Sequence, residues 1–253
     1  MKLQRVLFIL FLTGAGFFLA TQRGLFLPDV AVASSCKAGS LESPKTRVHL
    51  LELYTSEGCS SCPPAEKWVN SLRNSSELGK SFFPISFHVD YWDYIGWRDP
   101  LAKSEYSQRQ RNYASNWKSR SVYTPGFVKN GEEWRGLAVR SLPPKSDEEV
   151  GILKATSLGD DKYRLSFSGK NSGLRVNYAR LGNGILSNVT SGENRGKKLK
   201  QFFAVLELRS KEFKNHMEIE IPKTKIKARE SMLAIWLDDP SSMKPVQVVG
   251  GCL

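Results

Sequence analysis

The stretch LLELYTSEGCSSCPPAEKW, residues 50–68, limits what this chain can fold into more than any other. It joins an apolar run, two cysteines separated by two residues, and a pair of prolines. Residues 46–54, TRVHLLELY, carry β-branched and aromatic members and predict a buried strand. Proline suits the first turn of a helix and not its interior, so Pro63 and Pro64 mark a helix start. Trp68, Val69 and Leu72 then give that helix an apolar face. Cys59 and Cys62 therefore stand between the end of a strand and the beginning of a helix. There, unpaired backbone N–H groups and the positive end of the helix dipole favour thiolate over thiol. Cys59 is the expected nucleophile, exposed at the start of the turn. Cys62, one helical turn on and more covered, is expected to resolve a mixed disulfide.

The surrounding segments extend this site. Residues 82–90, FFPISFHVD, read as a second strand, and a helix follows over residues 101–118. TPGFVKNGEEWRG, residues 124–136, reads as strand, Asn-Gly turn and strand. Proline at a strand start beside such a cysteine pair makes Thr124–Pro125 a candidate cis peptide. The Thr124 backbone would then be free to hold an extended substrate chain. Glu52, mid-strand in an apolar run, is a candidate buried proton acceptor, or else it pairs with a basic neighbour. Glu57, in the loop beside Cys59, is expected to be solvated. Tyr91, Trp92, Tyr94 and Trp97 crowd one connector. They fill a local core or, with Tyr123, form the wall of a substrate groove. Arg109 and Tyr113, spaced i, i+4, share a helix face that is expected to meet solvent.

After residue 140 the texture changes. SLPPKSDEE, residues 141–149, has the composition of a linker. Beyond it, eight short segments of near-alternating hydrophobicity, separated by turn signals such as Asn171-Ser172-Gly173, predict an antiparallel sandwich-like domain. Gly192–Gly196 reads as a hairpin loop suited to an interdomain contact. The expected fold class is α+β: an α/β domain over 46–140, then a mostly antiparallel β-sandwich-like domain over 150–253.

Lys2 and Arg5 precede the apolar run VLFILFLTGAGFFLA, residues 6–20, so residues 1–33 read as a secretory signal. Uncleaved, the segment would act as a membrane tether. The expected location is periplasmic or secreted. Residues 1–33 hold three basic residues and one acidic, so their removal takes the formal charge from +12 to +10. The basic residues are scattered, and an exported chain rarely meets nucleic acid, which is not an expected partner. An exported chain can hold disulfides. The economical pairing of the four cysteines is Cys59–Cys62 with Cys36–Cys252. The latter would contribute on the order of 5 kcal/mol in the chain-entropy model. Separate thiols at Cys36 and Cys252 are the alternative.

Several stretches together resemble a known bacterial family, domain of unknown function 1223. They are LYTSEGCSSCPPA (53–65), HVDYWDYIGW (88–97), QRQRNY (108–113), YTP (123–125) and TSGENRG (190–196). The resemblance implies an exported thioredoxin-like domain with a β-rich C-terminal portion, and it brings no established substrate. In a thioredoxin the corresponding strand carries a buried acid where Glu52 stands, and a final helix packs on the sheet. Here the two prolines in 143–144 leave that helix a single turn near 146–150, or the C-terminal strands cover the face instead. The expected function is thiol–disulfide exchange with a protein substrate and a redox partner, with no cofactor. Two alternatives remain open. One is a copper or thiol chaperone using Cys59, Cys62 and His88, a soft ligand set. The other is a redox-silent binding module whose Cys59–Cys62 disulfide is structural. A single CxxC leaves too few ligands for a structural zinc site.

Overall fold

The computed structural model describes residues 39–135 and 141–253. The first half supplies β1 (Leu41–Glu42), β2 (His49–Thr55), α1 (Pro63–Ser71), β3 (Phe82–His88), α2 (Ser104–Asn116), β4 (Gly126–Lys129) and β5 (Glu132–Glu133). The second half is built of strands: β6 (Leu153–Gly159), β7 (Lys162–Phe167), β8 (Arg175–Asn183), β9 (Ile185–Asn188), β10 (Lys198–Gln201), β11 (Ala204–Glu212), β12 (Glu218–Glu220), β13 (Glu230–Asp238) and β14 (Pro245–Cys252). The fold is mixed α/β, dominated by strands that pair mostly antiparallel.

β2 and β3 run parallel, Leu51 opposite Pro84 and Thr55 opposite His88. Nearly every residue of both is buried, as expected of parallel strands covered on both faces. The two helices cover those faces. Side chains alternate across a strand. Glu52 bonds Arg109 and Tyr113 of α2, whereas Thr55, three residues on, bonds Glu66 of α1. The helices therefore lie on opposite sides. α1 begins with its two prolines and buries Ala65 and Val69, four residues apart. β4 runs antiparallel to β2 and turns at Asn130-Gly131 into β5. Both turn residues have positive φ, 50° and 82°, the geometry that makes Asn-Gly a hairpin signal.

The boundary expected near 140–150 does not divide the sheet. β11, from the second half, lies parallel to β3, with Ala204 opposite Ser86. The resulting eight-stranded sheet runs β14-β13-β8-β11-β3-β2-β4-β5, and Ser35–Leu253 forms one compact unit. Among the described residues no helix forms near 146–150. Thr46 and Glu149 make an antiparallel bridge there.

A second sheet, β1-β6-β7-β12, covers the far part of the large one. Leu153, Leu165 and Ile219 from the small sheet share a core with Val176, Leu233 and Ile235 from the large one. β13 serves two cores: Leu233, Ile235 and Leu237 face the small sheet, while Met232, Ala234 and Trp236 join the core around β2, β3 and the helices. Residues 1–33 and Cys36 lie outside the described residues, and with them the expected signal segment and the Cys36–Cys252 bridge.

Candidate functional site

The segments that build the site gather at the carboxyl ends of β2 and β3, where open α/β sheets place their loops. The cysteine turn follows β2, and the aromatic connector follows β3. Thr124 and Pro125 immediately precede β4. Cys59 and Cys62 stand at disulfide distance, Cα to Cα 5.5 Å. Cys62 is the N-cap of α1, whose first two helical positions are Pro63 and Pro64. The Thr124–Pro125 peptide is cis. Cys59 Sγ lies 3.8 Å from the Thr124 carbonyl oxygen and 3.2 Å from Ser61 Oγ.

Cys59 is not exposed. Both sulfur-bearing residues have 0% of their surface accessible. A segment from about 130 residues further along the chain is bonded to the backbone of this turn. The β9–β10 hairpin carries residues 189–197 onto the cysteine turn. Asn194 Nδ2 donates to the carbonyls of Glu57 at 2.8 Å and Cys59 at 2.9 Å. The Ser60 N–H donates to Glu193 Oε2 at 2.9 Å. Lys197 Nζ in turn donates to Asn194 Oδ1 at 2.7 Å. The loop is anchored on its other side, where Ser191 Oγ donates to the Gly96 carbonyl. Gly192, at φ +70°, sits against Trp97, whose Cβ would be 3.3 Å from an added side chain. The contact expected of Gly192–Gly196 is thus made to the cysteine turn itself, within one compact unit.

The connector aromatics divide. Trp92 Nε1 donates to Thr124 Oγ1 at 2.7 Å, and its Cβ abuts Gly58. Trp97 Nε1 donates to Glu57 Oε2 at 3.1 Å. These two line the site. Tyr91 stands one layer back, its hydroxyl on Gln110 Oε1, while Gln110 Nε2 donates to the Tyr123 carbonyl. Tyr123 itself turns outward, 47% exposed, and bonds Glu133. Tyr94 is 83% exposed and lines no groove wall.

Beneath the turn lies a buried polar cluster. Glu57 is not solvated: its N–H donates to Asp99 Oδ2 at 2.8 Å and its side chain is covered. Asp99 Oδ2 also accepts from His88 Nδ1 at 2.7 Å. Burial works against the His88 imidazolium, but Asp99, Glu66 and Glu57 outweigh it and raise its pKa to about 9. Burial likewise works against the Asp99 carboxylate, and the facing His88 more than offsets it, so the Asp99 pKa falls. Glu57 and Glu66 are both pushed up by burial. Glu66 accepts from Thr55 Oγ1 and Gln201 Nε2.

Glu52 belongs elsewhere, on the α2 side of the sheet. Its carboxylate accepts two bonds from Arg109, both 2.9 Å, and one each from the hydroxyls of Tyr54 and Tyr113. This is the pairing alternative, with its acceptor sites already taken. Arg109 and Tyr113, expected in solvent, are buried against it. As for metal, His88 Nδ1 is committed to Asp99. Among the described residues no three His, Cys, Asp or Glu side chains converge as a metal-ligand set, so Cys59, Cys62 and His88 are not brought together as one.

The sequence marks Asn194 only as part of the Gly192–Gly196 loop, and nothing in it brings Glu57, His88 and Asp99 together. The only signal was the TSGENRG stretch itself, and its destination depends on a strand pairing that no local pattern encodes.

Residues 50–238 match the family model described as protein of unknown function, DUF1223. None of the curated proteins matches the chain. Among solved structures, a crystal structure of an Agrobacterium tumefaciens protein is similar at a TM-score of 0.60 and 23% identity, over 83% of this chain and 96% of that one. HBP35 of Porphyromonas gingivalis reaches a TM-score of 0.49 at 12% identity, over 83% and 76% of the two chains.

Proposed function

The chain belongs to the DUF1223 family, and from that premise we propose that it is an exported, thioredoxin-like protein that exchanges disulfides through Cys59 and Cys62. The observation that carries this reading is one arrangement. A disulfide-distance pair caps the start of α1, and the Thr124 carbonyl, beside a cis proline, stands 3.8 Å from Cys59 Sγ. The parallel β2 and β3 with antiparallel β4 alongside, and helices on both faces, support the thioredoxin-like comparison.

In the reductive direction of the pair, a partner thiolate attacks Cys59 Sγ. The Cys59–Cys62 bond breaks and Cys62 leaves as a thiolate that takes up a proton. A second partner thiol, losing its proton, then attacks the partner's own sulfur in the mixed disulfide. Cys59 is released, and two electrons have passed from the partner dithiol to the pair. The reverse sequence begins with Cys59 as nucleophile and Cys62 resolving. The partner class is an exported protein thiol or disulfide, and the exchange needs no cofactor. The N-terminal apolar segment supports export, with a membrane tether where it stays uncleaved.

Complete burial of both cysteines favours a second reading, a structural disulfide in a binding module. One measurement separates them. Equilibration of the 59–62 pair against a thiol buffer yields its reduction potential. An active couple lies above about −300 mV, and a value below that marks a structural bond and refutes the exchange reading. In an active couple, Cys62→Ala accumulates mixed disulfides at Cys59 and Cys59→Ala forms none.

A further inference from the structure

Nothing in the sequence of the cysteine turn makes it buried. Its own side chains are two serines and a glycine, and Ser60 and Ser61 are exposed. Residues 191–197 are tied across the turn's backbone, and one of their side chains, Asn194, makes two of the three bonds. Asn194 is 0% exposed, yet its neighbours Glu193 and Arg195 face solvent. Its amide meets two carbonyls, Glu57 O and Cys59 O, which lie two residues apart on either side of Gly58. One NH₂ group supplies both protons, and its oxygen is taken by Lys197. Every hydrogen-bonding position of that amide except one lone pair is thereby used, three of the four it can offer. Glu193 adds the third tie, to the Ser60 N–H. Trp92 and Thr124, which do not belong to the hairpin, also meet the turn, at Gly58 and Cys59.

We infer that Asn194 is a positioning residue that holds the Cys59–Cys62 turn closed, and that a partner reaches Cys59 only when the 191–197 segment lifts from it. Lifting exposes the Glu57 and Cys59 carbonyls and the Ser60 N–H together, next to the Thr124 carbonyl. That set of backbone acceptors and a donor suits an extended polypeptide, which would take over the bonds the loop gives up. The inference deepens the exchange reading. It can also be tested without a physiological partner, so the two can fail separately: a potential below the structural threshold would sink exchange and leave the cover standing.

The experiment follows reduction of the oxidised full chain by tris(2-carboxyethyl)phosphine. Cys59 and Cys62 are alkylated at intervals and quantified by peptide mass. Asn194→Asp keeps the shape and the acceptor toward Lys197 but turns an oxygen toward two carbonyl oxygens. Loss of two ordinary hydrogen bonds corresponds to reduction about ten to thirty times faster. Asn70→Ala is the control. Asn70 Nδ2 donates to Lys200 O at 2.6 Å and its Oδ1 accepts from the Phe202 N–H at 3.1 Å, so it ties the far end of the same hairpin to α1 with two bonds. It is expected to lower unfolding stability in urea comparably while leaving the reduction rate within about twofold of wild type. Equal acceleration by both variants would mean that reduction proceeds through general unfolding, and would overturn the inference. So would a folded Asn194→Asp protein reduced at the wild-type rate. If Asn194→Asp does not fold, Glu193→Ala decides: it removes one exposed tie, and reduction should quicken about threefold, an unchanged rate being the refutation.

Discussion

Arg109→Met tests the reassignment of Glu52 from proton acceptor to structural partner. Arg109 is 7% exposed and Glu52 0%. They meet through two bonds of 2.9 Å, and Arg109 also stands over the rings of Phe87, Tyr113 and Trp236 at 5.3–5.4 Å. Removing the cation leaves Glu52 buried with only the Tyr54 and Tyr113 hydroxyls as donors. Breaking a buried pair in this way costs about 3–5 kcal/mol. For a folded unit of this size that lowers the melting temperature by about 6–20 °C. Replacing both partners, Glu52→Leu with Arg109→Met, removes the uncompensated charge. It leaves Tyr54 without its acceptor, while Tyr113 keeps the Met243 carbonyl at 3.2 Å. The double variant should therefore recover part of the loss and stay about 1–3 kcal/mol below wild type, the cost of one orphaned hydroxyl. Urea unfolding of the wild type, both single variants and the double variant closes the cycle. If Arg109→Met loses less than about 1 kcal/mol, or the double variant is the sum of the singles, the two groups are not a coupled buried pair and the reasoning fails. A further variant tests catalysis: once the protein is reduced, Glu52→Gln should leave the pH profile of Cys59 alkylation unchanged.

Other outcomes follow from the buried cluster and the packing of the sheet. His88 has a folded pKa of about 9, above its ordinary 6.5. Its contribution is fully present below pH 6.5 and is lost as the pH rises through 9. The amount is on the order of 3 kcal/mol. Urea midpoints taken from pH 6 to 10 should fall across that window in wild type and flatten in His88→Asn; a flat wild-type profile contradicts the paired imidazolium. Gly250→Ala should cost about 1–3 kcal/mol by overpacking, because a Cβ there would meet the Phe83 ring at 2.2 Å and Leu233 O at 2.8 Å. Thermal unfolding reads it, and a neutral result would mean that Phe83 moves freely aside.

Much of the architecture was legible because it is written locally. The apolar runs at 46–54 and 82–90, the Pro63-Pro64 helix start, the Asn130-Gly131 turn and the C-terminal strand segments all form near where their patterns predict. α2 was also found, but its buried face was misjudged. That face is Tyr106, Arg109, Gln110 and Tyr113, and polar residues at helical spacing look like a solvated surface unless their partners on β2 are known. The exposure of Cys59 and of Glu57 failed for a related reason. Short loops of serine, glycine and glutamate read as solvent-facing, and their partners come from distant segments: Trp97 and Asp99, Thr124, and the hairpin that carries Asn194. The two-domain division came from a real change of texture after residue 140. A change of texture records which residues alternate, however, and not which strand edges pair. Here β11 pairs with the edge of β3.

The distance in sequence between the cysteine turn and its cover sets an order of events. A chain made from its N-terminus has Cys59 and Cys62 in hand long before residue 194 exists, and the β9–β10 hairpin follows α1 by more than a hundred residues. Until that hairpin has been made and docked, the Glu57 and Cys59 carbonyls lack the Asn194 amide, and only the Cys62 N–H bonds the Cys59 carbonyl within the turn. Contacts this far apart in sequence form late, since the loop they close must be ordered first. The turn is consequently held by fewer bonds while the protein is still incomplete than once the hairpin has docked.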